Sequence, residues 1–78
     1  EEFFILLPQT SLEKAKKITS RLRDAINSDS LLKKYRITVS GGLTCYLEKD
    51  TEKSFKKRAD KALYNAKETG RDRFVVIE

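Results

Sequence analysis

No histidine, methionine or tryptophan occurs in these 78 residues, and cysteine and proline occur once each. Without histidine, the commonest general base and the commonest metal ligand are both missing. Any catalysis must then run on carboxylates, lysine, tyrosine or a bound metal. A lone cysteine, Cys45, forbids an internal disulfide. Set in an apolar stretch, it reads as a small core residue whose easier compartment is the cytosol. Long apolar runs are absent too: the longest, Phe3 to Pro8, is far too short to span a bilayer. The acidic start, Glu1-Glu2, lacks the basic region of a secretory signal. A cytoplasmic location without direct membrane contact is the expectation.

What is present is charge. Charged residues make up 37% of the chain and apolar ones 38%, which suits a globular unit with charged helix faces rather than a disordered segment. Seventy-eight residues allow at most one domain, and a chain this short buries only roughly 60% of its unfolded surface. The net charge is +5 and the pI about 9.5. Such a surface attracts polyphosphates, nucleic acid or an acidic membrane face, although a solvated lysine-rich helix face explains it as well.

Along the chain, Phe3-Phe4-Ile5-Leu6-Leu7 is a continuous apolar run stopped by Pro8, and it reads as a strand covered on both faces. Thr10 fits a helix N-cap, with Glu13 completing a capping box. Leu12, Ala15, Ile18, Leu22, Ala25 and Ile26 then recur at three- and four-residue steps as one apolar stripe, and Asn27-Ser28-Asp29-Ser30 ends that helix. Ile37-Thr38-Val39-Ser40 alternates as a strand, interrupted by Gly41-Gly42 before Leu43-Thr44-Cys45-Tyr46 resumes. Paired glycines there predict a bulge, a kink, or a place where another backbone or a ligand comes close. Asp50-Thr51 opens a second helix whose stripe of Phe55, Ala59, Ala62, Leu63 and Ala66 is rich in alanine, so it can lie close against its sheet. Gly70 suits the position after the helix end, and Phe74-Val75-Val76-Ile77 reads as a last buried strand. The order is β-α-β-α-β, with no repeat, linker or low-complexity tract.

Three constellations bear on chemistry. Glu1-Glu2 places adjacent carboxylates at the edge of a buried strand, where they can help hold a hard cation that also bridges phosphates; terminal acidic pairs are also common without any such role. Lys67 and Arg71 lie one helical turn apart around Gly70 and can face one phosphate, but cations at a helix C-terminus are equally expected from the macrodipole. Lys53, Lys56, Lys57, Arg58 and Lys61 form a basic helix face, with Tyr64 the nearby aromatic. No nucleic-acid-reading motif accompanies them, so no nucleic-acid partner is expected.

The run from Arg58-Ala59-Asp60-Lys61-Ala62-Leu63-Tyr64 through Asn65-Ala66-Lys67-Glu68-Thr69-Gly70-Arg71-Asp72-Arg73 resembles the C-terminal signature of GGDEF domains, the diguanylate cyclases. That signature reads approximately Ala-Asp-x-Ala-Leu-Tyr-x-Ala-Lys-x-x-Gly-Arg-Asn-Arg. Ile37-Thr38-Val39-Ser40-Gly41-Gly42-Leu43 is similar to the family's strand Val-Thr-Val-Ser-Ile-Gly-Val, and Thr10-Ser11-Leu12-Glu13-Lys14-Ala15 fits its Thr-x-Leu-x-x-Ala pattern. Glu1-Glu2-Phe3 resembles the tail of the Gly-Gly-Glu-Glu-Phe turn. The resemblance covers residues 1–78, but only as the C-terminal part of a single truncated domain.

What the resemblance implies is specific. The fold is α+β, a β-α-β-α-β fragment of a ferredoxin-like, nucleotide-cyclase-like sheet with helices packed on it. The activity is the condensation of two GTP into cyclic di-GMP by a homodimer of domains, in bacterial second-messenger signalling. Pyrophosphate is released, Mg²⁺ (or Mn²⁺) is the cofactor, and an upstream sensor domain belongs to the parent, which can sit at the cytoplasmic face of a membrane. Glu1 falls at a metal-binding, catalytic position and Glu2 at the neighbouring active-site carboxylate. Lys67 and Arg71 match the pair that grips the terminal phosphates, and Arg21 falls where some members place an inhibitory-site contact. The residues that read guanine and the first-strand metal Asp have no counterpart here, so the fragment alone is expected to be inactive. The alternative is a degenerate, non-catalytic module that binds nucleotide or a partner. Two departures stand out: Gly41 replaces a usual apolar residue, which predicts lost packing, and Asp72 replaces a usual Asn.

Overall fold

The computed structural model describes residues 2–78 and has the element order α1 (Leu12–Ser28), α2 (Ser30–Lys34), β1 (Gly41–Leu43), α3 (Glu52–Glu68) and β2 (Phe74–Val76). Glu1 lies outside the described residues. The two strands run parallel, with Gly41 opposite Phe74, Gly42 opposite Val75 and Leu43 opposite Val76. Parallel strands need a crossover, and α3 supplies it, packing on both. The α+β class expected from the sequence holds at this level.

Each end of α3 is set by local chemistry. Thr51 Oγ1 accepts from the Ser54 amide at 3.1 Å while Ser54 Oγ accepts from the Thr51 amide at 2.9 Å, a reciprocal capping box. At the other end Gly70 adopts φ +130°, and the Arg71 amide reaches back to the Ala66 carbonyl at 2.9 Å. That six-residue closure is why glycine follows the helix. Asp72, at φ 47°, occupies the left-handed region that Asp and Asn both tolerate. Its replacement of Asn is therefore conformationally mild.

The glycine pair does not interrupt a strand; it is the strand. A Cβ on Gly42 would fall 2.5 Å from the Ala59 carbonyl oxygen and 2.8 Å from the Ala62 carbonyl carbon, so the backbone of α3 sits directly on β1. The close approach of another backbone, one of the readings of Gly41-Gly42, is thus what occurs. The alanine stripe answers it from the helix side: Ala62 and Ala66 have no exposed surface. Gly41 costs less packing than its apolar counterpart suggests, because the Phe74 ring fills the space a side chain would take.

Three expectations are corrected. The N-cap of α1 is Ser11, which accepts from the Lys14 amide at 3.2 Å; Thr10 instead donates to the Pro8 carbonyl at 3.0 Å and is spent on the preceding turn. Residues 37–40 join no strand ladder among the described residues, the Ile37 amide bonding instead to the Leu32 carbonyl at 2.9 Å, because β2 begins only after the left-handed Arg71 and Asp72 and offers three residues to pair with. Phe3–Leu7 is likewise not a laddered strand among the described residues. Phe3 is 84% exposed and Leu6 73%, and no neighbouring strand supplies hydrogen-bond partners. The segment is held by side chains instead, with the Lys56 ammonium 5.6 Å from the Phe4 ring centroid.

The stripe of α1 is only partly covered, since a two-stranded sheet is narrow. Ala15 is buried, whereas Ile18 and Leu22 stay more than a third exposed. An ion pair of Arg23 with Asp72 at 3.4 Å, with Arg23 Nε donating to the Asp72 carbonyl at 3.0 Å, ties α1 to the turn before β2.

The Gly42 contact sets a testable cost. Gly42→Ala pushes a methyl into helix backbone that cannot rotate away, and about 2–3 kcal/mol of stability should be lost. Urea unfolding followed by circular dichroism measures it.

Candidate functional site

Beside α3 an open cavity of about 840 Å³ is lined by Glu2, Lys57, Asp60, Lys61, Tyr64 and Lys67 on its polar side, with Leu63, Ile77, Ser54 and Arg58 completing the wall. Its central feature is an ion pair across 65 residues of chain: Lys67 Nζ lies 3.3 Å from Glu2 Oε2. Both groups are partly solvated, the Lys67 side chain 36% and that of Glu2 56% exposed, so the pair is a positioning contact more than a source of stability. The fold thereby brings Glu2 and the basic helix end into one place.

Arg71 is not brought there. The helix ends at Glu68, so Arg71 is off α3 at φ 60°, exposed, and outside the cavity wall. The one-turn spacing that would set it beside Lys67 on a helix face does not operate. Arg21 is exposed on α1 and also lies outside that wall.

The residue that the basic-face reading misplaced is Arg58. Its guanidinium is turned inward: Nη1 and Nη2 grip Asp50 at 2.9 and 2.5 Å, Nη2 also donates to the Cys45 carbonyl at 2.6 Å, and Nε donates to Thr44 Oγ1 at 2.7 Å. Thr44 Oγ1 passes the connection on, donating to the Ile77 carbonyl at 2.6 Å. Asp50 in turn accepts from the Leu47 amide at 2.8 Å and from Ser54 Oγ at 2.9 Å. The Asp50 side chain is only 6% exposed. A planar fork with five donors makes these four bonds at once, to a carboxylate, a hydroxyl and a carbonyl, one more than the three donors of a lysine ammonium supply. The signal available in the sequence was that Arg58 is the lone arginine among those lysines, three residues after the core position Phe55.

The network sets the acid chemistry. The Arg58 hydrogen bonds, the Leu47 amide and Ser54 hold the Asp50 carboxyl well below the usual carboxylate range, although burial opposes them. Glu52 is lowered as well, chiefly by its hydrogen bond with Lys56 at 2.9 Å.

Among the described residues, no three His, Cys, Asp or Glu side chains gather where a metal could sit. The described part of the chain therefore does not by itself complete a Mg²⁺ or Mn²⁺ site. Also among the described residues, no helix is long and apolar enough to cross a membrane.

Comparison with known proteins gives this arrangement a family. The profile described as "Diguanylate cyclase, GGDEF domain" matches residues 1–73. The chain belongs to the GGDEF family. Diguanylate cyclase DgcP of Pseudomonas aeruginosa is 43% identical to it over 79 residues, covering 97% of this chain and 12% of that protein. Diguanylate cyclase A of Treponema denticola is 38% identical over 77 residues, 94% of this chain and 21% of that one. Response regulator PleD of Caulobacter vibrioides is 32% identical over 81 residues, 96% of this chain and 18% of its own length. The GGDEF chain thus spans between 12% and 21% of these relatives. No solved structure matches it.

The pH dependence of stability follows from Asp50, a group whose value is depressed on folding. Its contribution is fully present above the unfolded carboxyl value of about 3.9, and it is lost as pH falls from there toward the lower folded value. Asp50→Asn should destabilise the chain at pH 7, and its deficit against the unaltered chain should shrink as pH drops below about 4. Thermal melts across that range report the gap.

Proposed function

We propose that this chain is the C-terminal part of a diguanylate cyclase domain and carries the phosphate side of its GTP site. The observation that supports this most is the Glu2–Lys67 pair at 3.3 Å, a carboxylate and a cation from opposite ends of the chain on one cavity. In the proposed reaction a 3′-hydroxyl of one GTP attacks the α-phosphate of another, two facing domains complete cyclic di-GMP, and pyrophosphate leaves. Lys67 holds the terminal phosphates as a compact point charge, which exchanges its resting partner Glu2 for phosphate oxygen. The helix itself does not help, since its C-terminal dipole end is negative, and the anion must be gripped by side chains. Arg71 adds its fork from the turn beyond the helix once phosphate is present, and Glu2, released from Lys67, faces the reacting groups beside Glu1. Arg21 belongs to a separate product-inhibition contact.

The parent sheet is ferredoxin-like, and the parent is cytoplasmic or faces the cytoplasm. A sensor or receiver domain upstream suits the likeness to a protein named a response regulator. Mg²⁺ or Mn²⁺ serves the complete domain, with carboxylates from outside these residues joining Glu1. Alone, the chain lacks the guanine-reading side, so it cannot position two nucleotides for in-line transfer.

Two outcomes are expected. Lys67→Ala should weaken binding of a fluorescent GTP analogue roughly two- to fivefold, the worth of one partly solvated ion contact. The unaltered chain, incubated with GTP and Mg²⁺, should yield no cyclic di-GMP by chromatography, and measurable product would sink the assignment of the missing half.

A further inference from the structure

The cavity extends well beyond the Lys67 end that the proposed function uses. Lys57 and Lys61 stand on the same wall, one turn apart on α3, with Tyr64 between them and Lys67. Their neighbours are accounted for. Lys56 pairs with Glu52 at 2.9 Å, Lys67 with Glu2 at 3.3 Å, and Arg58 is fully engaged by Asp50, Thr44 and the Cys45 carbonyl. Neither Lys57 nor Lys61 enters an ion pair within 4.0 Å among the described residues, although Asp60 lines the same wall. Two lysines without an ion-pair partner among the described residues therefore line the open cavity, and a third lies further along it.

We propose that Lys57 and Lys61 form a second anion subsite, which takes the distal end of an extended oligophosphate whose near end lies at Lys67. Spacing defines the ligand class. At 1.5 Å and 100° per residue, Lys61 and Lys67 are separated by about 9 Å along the helix axis and about 120° around it, and Lys57 and Lys67 by about 15 Å along it, so only their flexible stems can turn them toward one ligand. A pyrophosphate held at Lys67 is too short to reach the second group of cations, whereas a chain of four or more phosphates is long enough for the Lys61 stem to meet it. Each phosphate in such a chain is a poor match for one lysine and a good match for a row of them, since lysine acts as a point charge without a fixed fork. The carboxylates set the limits of this subsite. Asp60 keeps the wall from being uniformly positive, and Glu2 competes for Lys67, so a single phosphate gains little while a longer chain gains at several points together. Tyr64, 62% exposed, lines the same cavity, and in sequence it lies between the two groups.

This inference rests on the phosphate role of Lys67, and the test separates the two. Affinities of the chain for pyrophosphate and inorganic tetrapolyphosphate are measured by calorimetry at fixed ionic strength, together with GTP and guanosine 5′-tetraphosphate. The expected result is a preference for tetrapolyphosphate over pyrophosphate of about tenfold, which Lys57→Gln/Lys61→Gln reduces to within about twofold while leaving pyrophosphate binding unchanged. Lys57→Arg/Lys61→Arg should keep the preference. Lys33→Gln/Lys34→Gln removes the same charge from α2, outside the cavity, and should also keep it. The proposal is overturned if the α3 double variant retains the preference, if the α2 variant loses it equally, or if neither polyphosphate binds. Pyrophosphate binding that survives Lys67→Ala unchanged would instead remove the underlying reading of Lys67. A gain with tetrapolyphosphate assigns recognition to the phosphate chain itself, and a gain confined to guanosine tetraphosphate assigns it to a nucleotide carrying that chain; both uphold the subsite.

Discussion

Backbone approaches backbone where α3 crosses β1, and nearly everything else in the molecule is referred to that contact. Gly42 has no side chain to hold the helix off, and Ala62 and Ala66 present nothing larger than a methyl. The helix therefore sits closer to the strand than a Leu- or Val-bearing interface allows. Closeness is what lets a side chain of moderate length on α3 reach main-chain atoms beyond the strand. Arg58 uses it to grasp the Cys45 carbonyl and the Thr44 hydroxyl, and Lys67, at the far end of the same helix, meets Glu2. With only three buried residues among those described, all alanine, the molecule gains little from large apolar side chains. Its order comes from close backbone packing and from one dense polar network.

That network shows why two cations on one helix face can have unrelated duties. Arg58 and Lys57 are adjacent in sequence, but a helix turns 100° between them. Arg58 points toward the loop from Thr44 to Asp50 and spends its donors there, whereas Lys57 opens on the cavity. The chemistry follows the direction. A guanidinium suits a crowded, fixed set of acceptors, while an ammonium on a flexible stem suits an anion that comes and goes.

Much of this was legible in the sequence. The caps of α3, its alanine stripe and the glycine after it are local signals, and each depends on residues within a few positions. Gly41-Gly42 also announced a close approach, although sequence alone left a bulge, a kink and a ligand open beside it. What failed was of another kind. Phe3–Leu7 and residues 37–40 carry strand-like patterns, but pairing is decided by a partner, and β2 offers only three residues in register with 41–43. An apolar run states a preference for burial without naming what buries it. Arg58 was misread because charge patterning counts positive groups and ignores where each points. For Arg71 only the one-turn spacing fails, because the helix ends at Glu68 and Arg71 lies three residues beyond it.

The same distinction governs the candidate site. Its two firmest members come from opposite ends of the chain, and no local pattern can announce a contact spanning 65 residues. The family signature offers that link instead, since the GGDEF match spans both ends of the chain. Physical reading then divides what the signature had left joined. Lys67 lies on the helix, half-shielded and already paired; Arg71 lies beyond the Gly70 turn, exposed and unconstrained by the helix. A cation held near its carboxylate has its position fixed before phosphate arrives but must give up a partner to bind. A cation in the turn gives up nothing but must be ordered from solvent. Under the proposed phosphate role the two residues therefore bear different costs, and the difference lies in where the helix stops.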